Sequence, residues 1–377
     1  MYIKSIELTN FRNYEKETIL MNDGLNVVIG KNAMGKTNLL ESICCCGIGK
    51  STKTTKYKEL INWNKKYAYI KIILSKKYRD HTIEFVIDDK DKKRVRIDGV
   101  QLTKLIDLVG ILNIVFFSPD ELKLVKESPQ ERRRFINISL SQQSKLYIYS
   151  LSRYEEALSQ RNKLLKMQYT NENIQEMLNV WDPQIAKEAA FICLKRYEFI
   201  DKLKEIAKEI HSELTNNKED LCLEYESLIK RDSIENMEKQ VLELLKDSKE
   251  KDIKLQYTSI GPHRDDMDIK INGIDIRKFG SQGQQRTVAL SLKLAEIKLF
   301  NIELGETPVL LLDDVLSELD GDRRKKLMKL SSNLQTIITC TDFDMDIKHN
   351  RIEISNGKRV NWDKIFHNLS TLNVVYY

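Results

Sequence analysis

Gly30-Lys31-Asn32-Ala33-Met34-Gly35-Lys36-Thr37 is the stretch from which the rest of the chain is read. A glycine, four residues, then Gly-Lys-Thr is the pattern of a phosphate-binding loop. Its glycines let the backbone wrap closely round an anion. A helix starting there adds free amides and the positive end of its dipole. The flanks agree with the motif: Leu25–Ile29 is a short apolar run ending in glycine, and Asn38-Leu39-Leu40-Glu41-Ser42-Ile43 continues as a helix. This order predicts a nucleotide site lined by residues 30–38. Lys36 would neutralise phosphate charge, and Thr37 would ligate Mg²⁺ beside ATP.

Two other stretches fit the same site. Val309-Leu310-Leu311-Leu312-Asp313-Asp314 reads as a buried strand that delivers carboxylates at its C-terminal end. Asp313 is the candidate Mg²⁺ ligand, and Asp314 stands where a water-activating carboxylate belongs. Upstream, Ser281-Gln282-Gly283-Gln284-Gln285-Arg286 opens a helix. It resembles the signature motif of ABC-type ATPases, whose usual core is Ser-Gly-Gly-Gln. In that superfamily the signature serine and glycine cap the γ-phosphate held by a partner subunit, so ATP joins a dimer. The matching positions here are Ser281, Gly283 and Gln284. Ser317-Glu318-Leu319-Asp320 resembles the D-loop that follows, and Thr341 stands where a switch histidine usually occurs.

The bulk properties set the frame. The chain has 377 residues, 41% of them hydrophobic, which is enough for a large core and two structural units. No apolar run approaches the roughly 20 residues needed to cross a bilayer. The start, MYIKSIELTNFRNYE, lacks the uninterrupted apolar segment of a signal peptide, so a cytoplasmic protein is expected. Net charge is +6, mildly basic and compatible with a nucleic-acid partner. Of six cysteines, Cys44, Cys45 and Cys46 are consecutive and none shows paired zinc spacing, so they are expected to pack as small apolar residues.

Texture divides the chain in three. Residues 1–117 are strand-rich, with runs at Tyr2–Leu8, Tyr67–Leu74, Thr82–Ile87, Arg94–Ile97 and Leu112–Phe117. After Pro119 the pattern turns helical, charged and nearly free of glycine. Ile185, Ala189, Ile192, Ile200, Leu203, Ile210 and Leu214 mark one face of a long helix over Trp181–Leu214, with Leu146–Met167 as its packing partner. The last third returns to α/β, with a helix over Gln282–Glu303 and strands at Val309–Leu312 and Thr336–Thr339. The expected fold class is α/β: an ABC-ATPase (SMC-like) head built from residues 1–118 and 252–377, with a helical arm, 119–251, inserted.

Taken in order, the blocks resemble the RecF family over nearly the whole length. They are IELTNFRNY at residues 6–14, the phosphate loop, FSPDELKLVKESPQERRRFI at 117–136, SIGPHRDDMDIKING at 259–273, GSQGQQRTVALSLKLAE at 280–296 and LLLDDVLSELD at 310–320. The resemblance implies ATP-driven dimerisation on double-stranded DNA near single-strand junctions and slow DNA-stimulated ATP hydrolysis. It also implies work with RecO and RecR in loading RecA on gaps, with links to replication and the SOS response. Asp314 in place of the usual glutamate, and Thr341 in place of histidine, point to slow turnover, since positioning of the attacking water governs phosphoryl transfer.

DNA held through its phosphates calls for lysine and arginine. Lys50, Lys53, Lys56 and Lys58, with Lys65 and Lys66, form the densest basic stretch. Arg132-Arg133-Arg134 is a second cluster, whose expected alternative is pairing with Asp120, Glu121 and Glu131. Arg12 is similar to an N-terminal basic residue that reaches the phosphates in related heads, with an ion-paired surface arginine as the other reading. His263-Arg264-Asp265 is expected to be a hydrogen-bonded structural turn.

Other readings fit parts of the chain. Asp107-Leu108-Val109-Gly110 and Asn217-Lys218-Glu219-Asp220 match two GTPase motifs in order, but Asn217 ends a polar helix instead of an apolar strand. An ABC transporter subunit would need a membrane partner. Another SMC-like head, or an ATP-dependent DNA clamp that does not hydrolyse, stands nearest.

Overall fold

The computed structural model describes residues 1–167 and 174–360. The chain forms two compact units, Met1–Pro119 with Glu306–Tyr377, and Asp120–Gly305.

The first unit holds two sheets. Strands β1 (Tyr2–Phe11), β2 (Tyr14–Leu20), β4 (Tyr67–Ser75), β5 (Asp80–Asp88), β6 (Lys93–Ile97) and β7 (Val100–Gln101) make an antiparallel sheet in the order β2-β1-β4-β5-β6-β7. Period-two alternation writes it: Ala68, Ile70, Ile72 and Leu74 of β4, and Ile83, Phe85 and Ile87 of β5, all point into the core. The other sheet runs β15-β14-β3-β13-β12-β8. It joins β3 (Leu25–Ile29), β8 (Ile114–Phe117), β12 (Val309–Asp313), β13 (Thr336–Cys340) and β14 (Asn350–Ser355) in parallel, with β15 (Lys358–Arg359) antiparallel at one edge. Its central strands are buried on both faces, which is why they read as continuous apolar runs.

Helix α1 (Lys36–Ile48) packs against β4 and β5 of one sheet and β8, β12 and β13 of the other. Leu39, Leu40, Ile43 and the three adjacent cysteines on it are fully buried in the joint core. Burial pushes the Cys45 and Cys46 thiols up, away from the reactive thiolate.

The second unit is mainly helical: α2 (Leu122–Lys126), α3 (Pro129–Gln143), α4 (Lys145–Lys166), α5 (Ile174–Thr215), α6 (Ile234–Asp247), α7 (Lys249–Leu255), α8 (Ile276–Phe279) and α9 (Gln282–Leu304). At 1.5 Å per residue α5 is about 63 Å long, and it packs along both α4 and α9. The gaps in its sequence stripe are filled by Arg196 and Ala207, both buried. Arg196 can be buried because Pro262 O, Asn137 Oδ1 and the Tyr147 hydroxyl accept from it, at 2.6, 3.0 and 3.2 Å, and Asp265 Oδ2 stands 3.9 Å away. Arg153 grips Glu188 and Arg161 grips Asp182, tying α4 to α5 by charge as well as by packing.

A small antiparallel sheet completes this unit: β9 (Leu221–Glu226), β10 (Asp266–Ile271) and β11 (Ile274–Asp275), in the order β11-β10-β9. Pairing of β9 with β10 and packing of α9 on α5 place residues 252–305 with the helical unit. The packing boundary therefore falls after Gly305, not at residue 252 as the sequence texture suggested.

Candidate nucleotide site

The phosphate loop runs from β3 into α1. Gly30 must be glycine, since a Cβ there would stand 2.4 Å from Ile354 O of β14. Ala33 and Gly35 take left-handed backbone, at φ 65° and 112°, which curls the loop. Lys36 is buried, and its ammonium donates back to Gly30 O and to Lys31 O. Lys31, Asn32 and Ala33 are exposed along the loop.

The loop is clamped from β1 and β2. Asn13 Nδ2 donates to Met34 O at 3.0 Å, and Asn13 Oδ1 accepts from Asn38 Nδ2 at 2.9 Å. The Tyr14 hydroxyl donates to Gly35 O at 3.0 Å, and Gly357 N donates to Met34 O at 2.9 Å. Sequence reading missed both Asn13 and Tyr14. The only signal lay in the IELTNFRNY block, whose role the residues alone do not reveal.

Thr37 and Asp313 meet. Thr37 Oγ1 donates to Asp313 Oδ1 at 2.9 Å across 276 residues of sequence. The register that pairs Asp313 with Thr339 brings a second hydroxyl to the same oxygen, at 2.8 Å. Thr339, also missed, then receives Asp314 N on its Oγ1 at 3.0 Å. Asp314 is held at φ 54°, and its carboxylate makes no hydrogen bond or ion pair among the described residues. One carboxylate beside one hydroxyl suits Mg²⁺, which takes one or two protein oxygens and leaves the rest of its shell to phosphates and water. A curled glycine loop with a buried ammonium suits a polyphosphate. Thr341 is exposed.

The signature-like turn lies in the helical unit. Ser281 caps α9 in a capping box: its Oγ accepts from Gln284 N at 3.3 Å, and its own N donates to Gln284 Oε1 at 3.0 Å. Gly280 is forced, since a Cβ would meet the backbone oxygen of Ile276 at 2.5 Å. Gly283 is not: the nearest atom to its Cβ would be Ser281 Oγ, at 4.0 Å. That glycine leaves the helix start open to an approaching group. With Ser281 exposed, the turn is an accessible anion-receiving helix terminus.

The remaining candidates separate. Arg12 forks onto Glu41 of α1, at 2.9 and 2.8 Å, and also donates to Glu59 O, so it is ion-paired. Lys50, Lys53, Lys56, Lys58, Lys65 and Lys66 are all exposed and form no ion pair among the described residues. The arginine triplet does not pair as expected. Arg132 is buried and bidentate on Asp266, Arg133 donates to Asp265 O, and only Arg134 reaches Glu131. His263 accepts from the Tyr154 hydroxyl and donates to Thr258 O at 3.0 Å, a structural turn. Burial pushes its pKa down to about 4. Asn217, at φ 59°, closes α5 and precedes β9 instead of following a strand, so the GTPase geometry is absent there.

Comparisons agree on the fold. A family model described as RecF/RecN/SMC N terminal domain matches residues 2–355. The DNA replication and repair protein RecF of Agathobacter rectalis is 46% identical over 367 residues, 97% of each chain. The protein of that name from Clostridium tetani is 44% identical over 346 residues, 91% of this chain and 94% of the relative. A solved structure of the recombination mediator protein RecF-ATP in the RecFOR pathway matches with TM-score 0.89 and 34% identity, over 96% of this chain and 98% of that one. The Smc head bound to the C-winged helix domain of ScpA matches at TM-score 0.57 and 16% identity, over 97% and 100%, a likeness of fold alone. The fold is the α/β head of the RecF and Smc structures.

Proposed function

The chain belongs to the RecF family of DNA replication and repair proteins, and from that premise we propose that it is an ATP-dependent DNA-binding protein of recombinational repair. Residues 30–38 bind ATP, with Lys36 on the β- and γ-phosphates. Thr37 and Asp313 hold Mg²⁺, which when bound neutralises phosphate charge. Ser281, Gly283 and Gln284 of a second copy then cap the γ-phosphate, so ATP closes a homodimer on double-stranded DNA. The exposed lysines between residues 50 and 66 take DNA phosphates. Arg12, held by Glu41, is the candidate basic residue that reaches the phosphates.

The observation that carries this reading is the contact of Thr37 with Asp313, two motif residues far apart in sequence whose oxygens converge beside the glycine loop. Asp314 is the candidate for orienting the attacking water. Its side chain is one methylene shorter than glutamate, which favours slow turnover. The setting is gapped DNA in the cytoplasm, at single-strand junctions, with RecO and RecR as partners and RecA as the protein loaded during replication repair and the SOS response.

Duplex binding tests the proposal. Fluorescence anisotropy with a labelled duplex should show tighter binding with ATP and Mg²⁺ than with ADP, and Lys36→Arg should abolish the difference. Equal affinity in all nucleotide states would overturn it. The second reading, a clamp that binds ATP without hydrolysing it, is favoured by the Asp314 and Thr341 departures. Steady-state phosphate release with and without duplex separates the two.

A further inference from the structure

Trp63 is 90% exposed, the most exposed large apolar side chain among the described residues. Burial of a tryptophan is strongly favourable in water, so one left outside on a fixed backbone calls for an explanation. This backbone is fixed. Asn62 N donates to Asn10 O at 2.8 Å and Arg12 N to Leu60 O at 2.7 Å, stitching the approach to β1. Lys65 N closes the turn on Asn62 O at 3.1 Å, with Asn64 in left-handed backbone at φ 62°. Asp89 N then anchors Lys66 O at 3.0 Å.

The same bonds gather charge beside this turn. Asp89 N on Lys66 O, and Lys58 N on Asp91 Oδ1 at 2.8 Å, draw the 58, 65–66 and 90–92 segments together. Lys58, Lys65, Lys66, Lys90 and Lys92 are all exposed. Three acids lie among them: Asp88 accepts from the backbone amides of Lys90 and Lys92, Asp91 accepts from that of Lys58, and Asp89 is exposed, so the lysines remain in excess. An exposed aromatic side chain on a fixed turn, beside a lysine-rich surface, matches a polyanion whose units carry π-faces. A protein partner with an apolar knob would not need those lysines.

We propose that Trp63 is a stacking platform for an unpaired nucleobase at the point where a single strand leaves the duplex, with the neighbouring lysines holding phosphates of the duplex and of the strand that continues from it. The inference rests on the DNA-binding reading given above and deepens it, placing the single-stranded side of a junction at this turn. Stacking is tolerant of sequence, so the platform recognises strandedness and not base identity.

The test uses the full chain with ATP and Mg²⁺ on three DNAs: a blunt duplex, the same duplex with a single-stranded tail, and that tail made abasic. Trp63→Ala should lose about tenfold in affinity for the tailed duplex, the scale of stacking one base, and nothing for the blunt one. Trp63→Phe should keep most of the affinity. The abasic tail should cost the wild type the same tenfold and cost Trp63→Ala nothing. Lys65→Glu with Lys66→Glu should weaken binding to all three. If Trp63→Ala matches the wild type on tailed duplex while both bind DNA, the platform is overturned and Trp63 is left to a protein partner. If the wild type binds none of the three, the DNA-binding reading itself falls.

Discussion

Gln284 Nε2 stands 3.0 Å from Glu219 Oε1, so the residue that pins Ser281 is itself pinned by the segment that closes α5. The other Glu219 oxygen lies 3.1 Å from His211 Nε2, and His211 Nδ1 reaches Ser291 Oγ of α9 at 3.0 Å. A chain of polar contacts thus runs from the long helix to the signature-like turn. It gives the Asn217-Lys218-Glu219-Asp220 stretch a role unrelated to guanine.

Removing that support should loosen Ser281 without touching the phosphate loop. Glu219→Ala deletes a charge-assisted hydrogen bond of roughly 1.5 kcal/mol, so ATP-driven self-association should weaken about tenfold. ATP affinity of the separate chain, read by a fluorescent nucleotide, should stay within twofold. A parallel fall in both would show that Glu219 acts on overall folding instead.

Thr339 offers a cleaner separation. Its hydroxyl bridges Asp313 Oδ1 and Asp314 N, yet it touches none of the positions proposed for ATP. Thr339→Val keeps the shape and removes both bonds. Groups behind a metal ligand typically matter 10- to 100-fold, so Mg²⁺-dependent phosphate release should drop by about that factor. Mg²⁺-independent nucleotide binding should persist.

Gly30 tests the loop cradle. An alanine there would press its Cβ onto Ile354 O at 2.4 Å, a backbone atom that cannot rotate away. Gly30→Ala should lower thermal stability by roughly 1–3 kcal/mol and abolish ATP binding. Gly283→Ala, with open space around its Cβ, should leave stability unchanged and impair self-association alone.

Acid should strain the helical unit at His263. Burial holds its pKa at about 4 against an ordinary 6.5, so the folded chain resists protonation that the unfolded chain accepts. The sign follows: stability is complete above pH 6.5 and declines as pH falls from 6.5 towards 4, by on the order of 3 kcal/mol. Denaturant midpoints across that window should fall less steeply for His263→Asn than for the wild type.

What could be read from sequence was local. The loop, the strand ending at Asp313 and the serine-capped helix each announce themselves within a dozen residues, and their order fixed the fold class. The long helix followed from spacing, because one face of a rod must repeat every three or four positions. What escaped was set by register and by distant partners. Thr339 meets Asp313 only because β12 and β13 pair as they do. Asn13 meets Met34 O because β1 and β2 run past the loop. Arg196 hid on the buried face of α5, since a charge there looks like a break in the stripe until its partners are seen. Strand β9 was lost in a charged stretch, where only Leu221 and Leu223 are buried.

Sedimentation of the full chain measures the central claim most directly. With ATP and Mg²⁺ beside duplex DNA, the wild type should sediment as a dimer, while ADP, Ser281→Arg and Lys36→Arg each leave a monomer. A wild type that stays monomeric at saturating ATP and Mg²⁺, or a Ser281→Arg chain that dimerises as well as the wild type, would contradict the account.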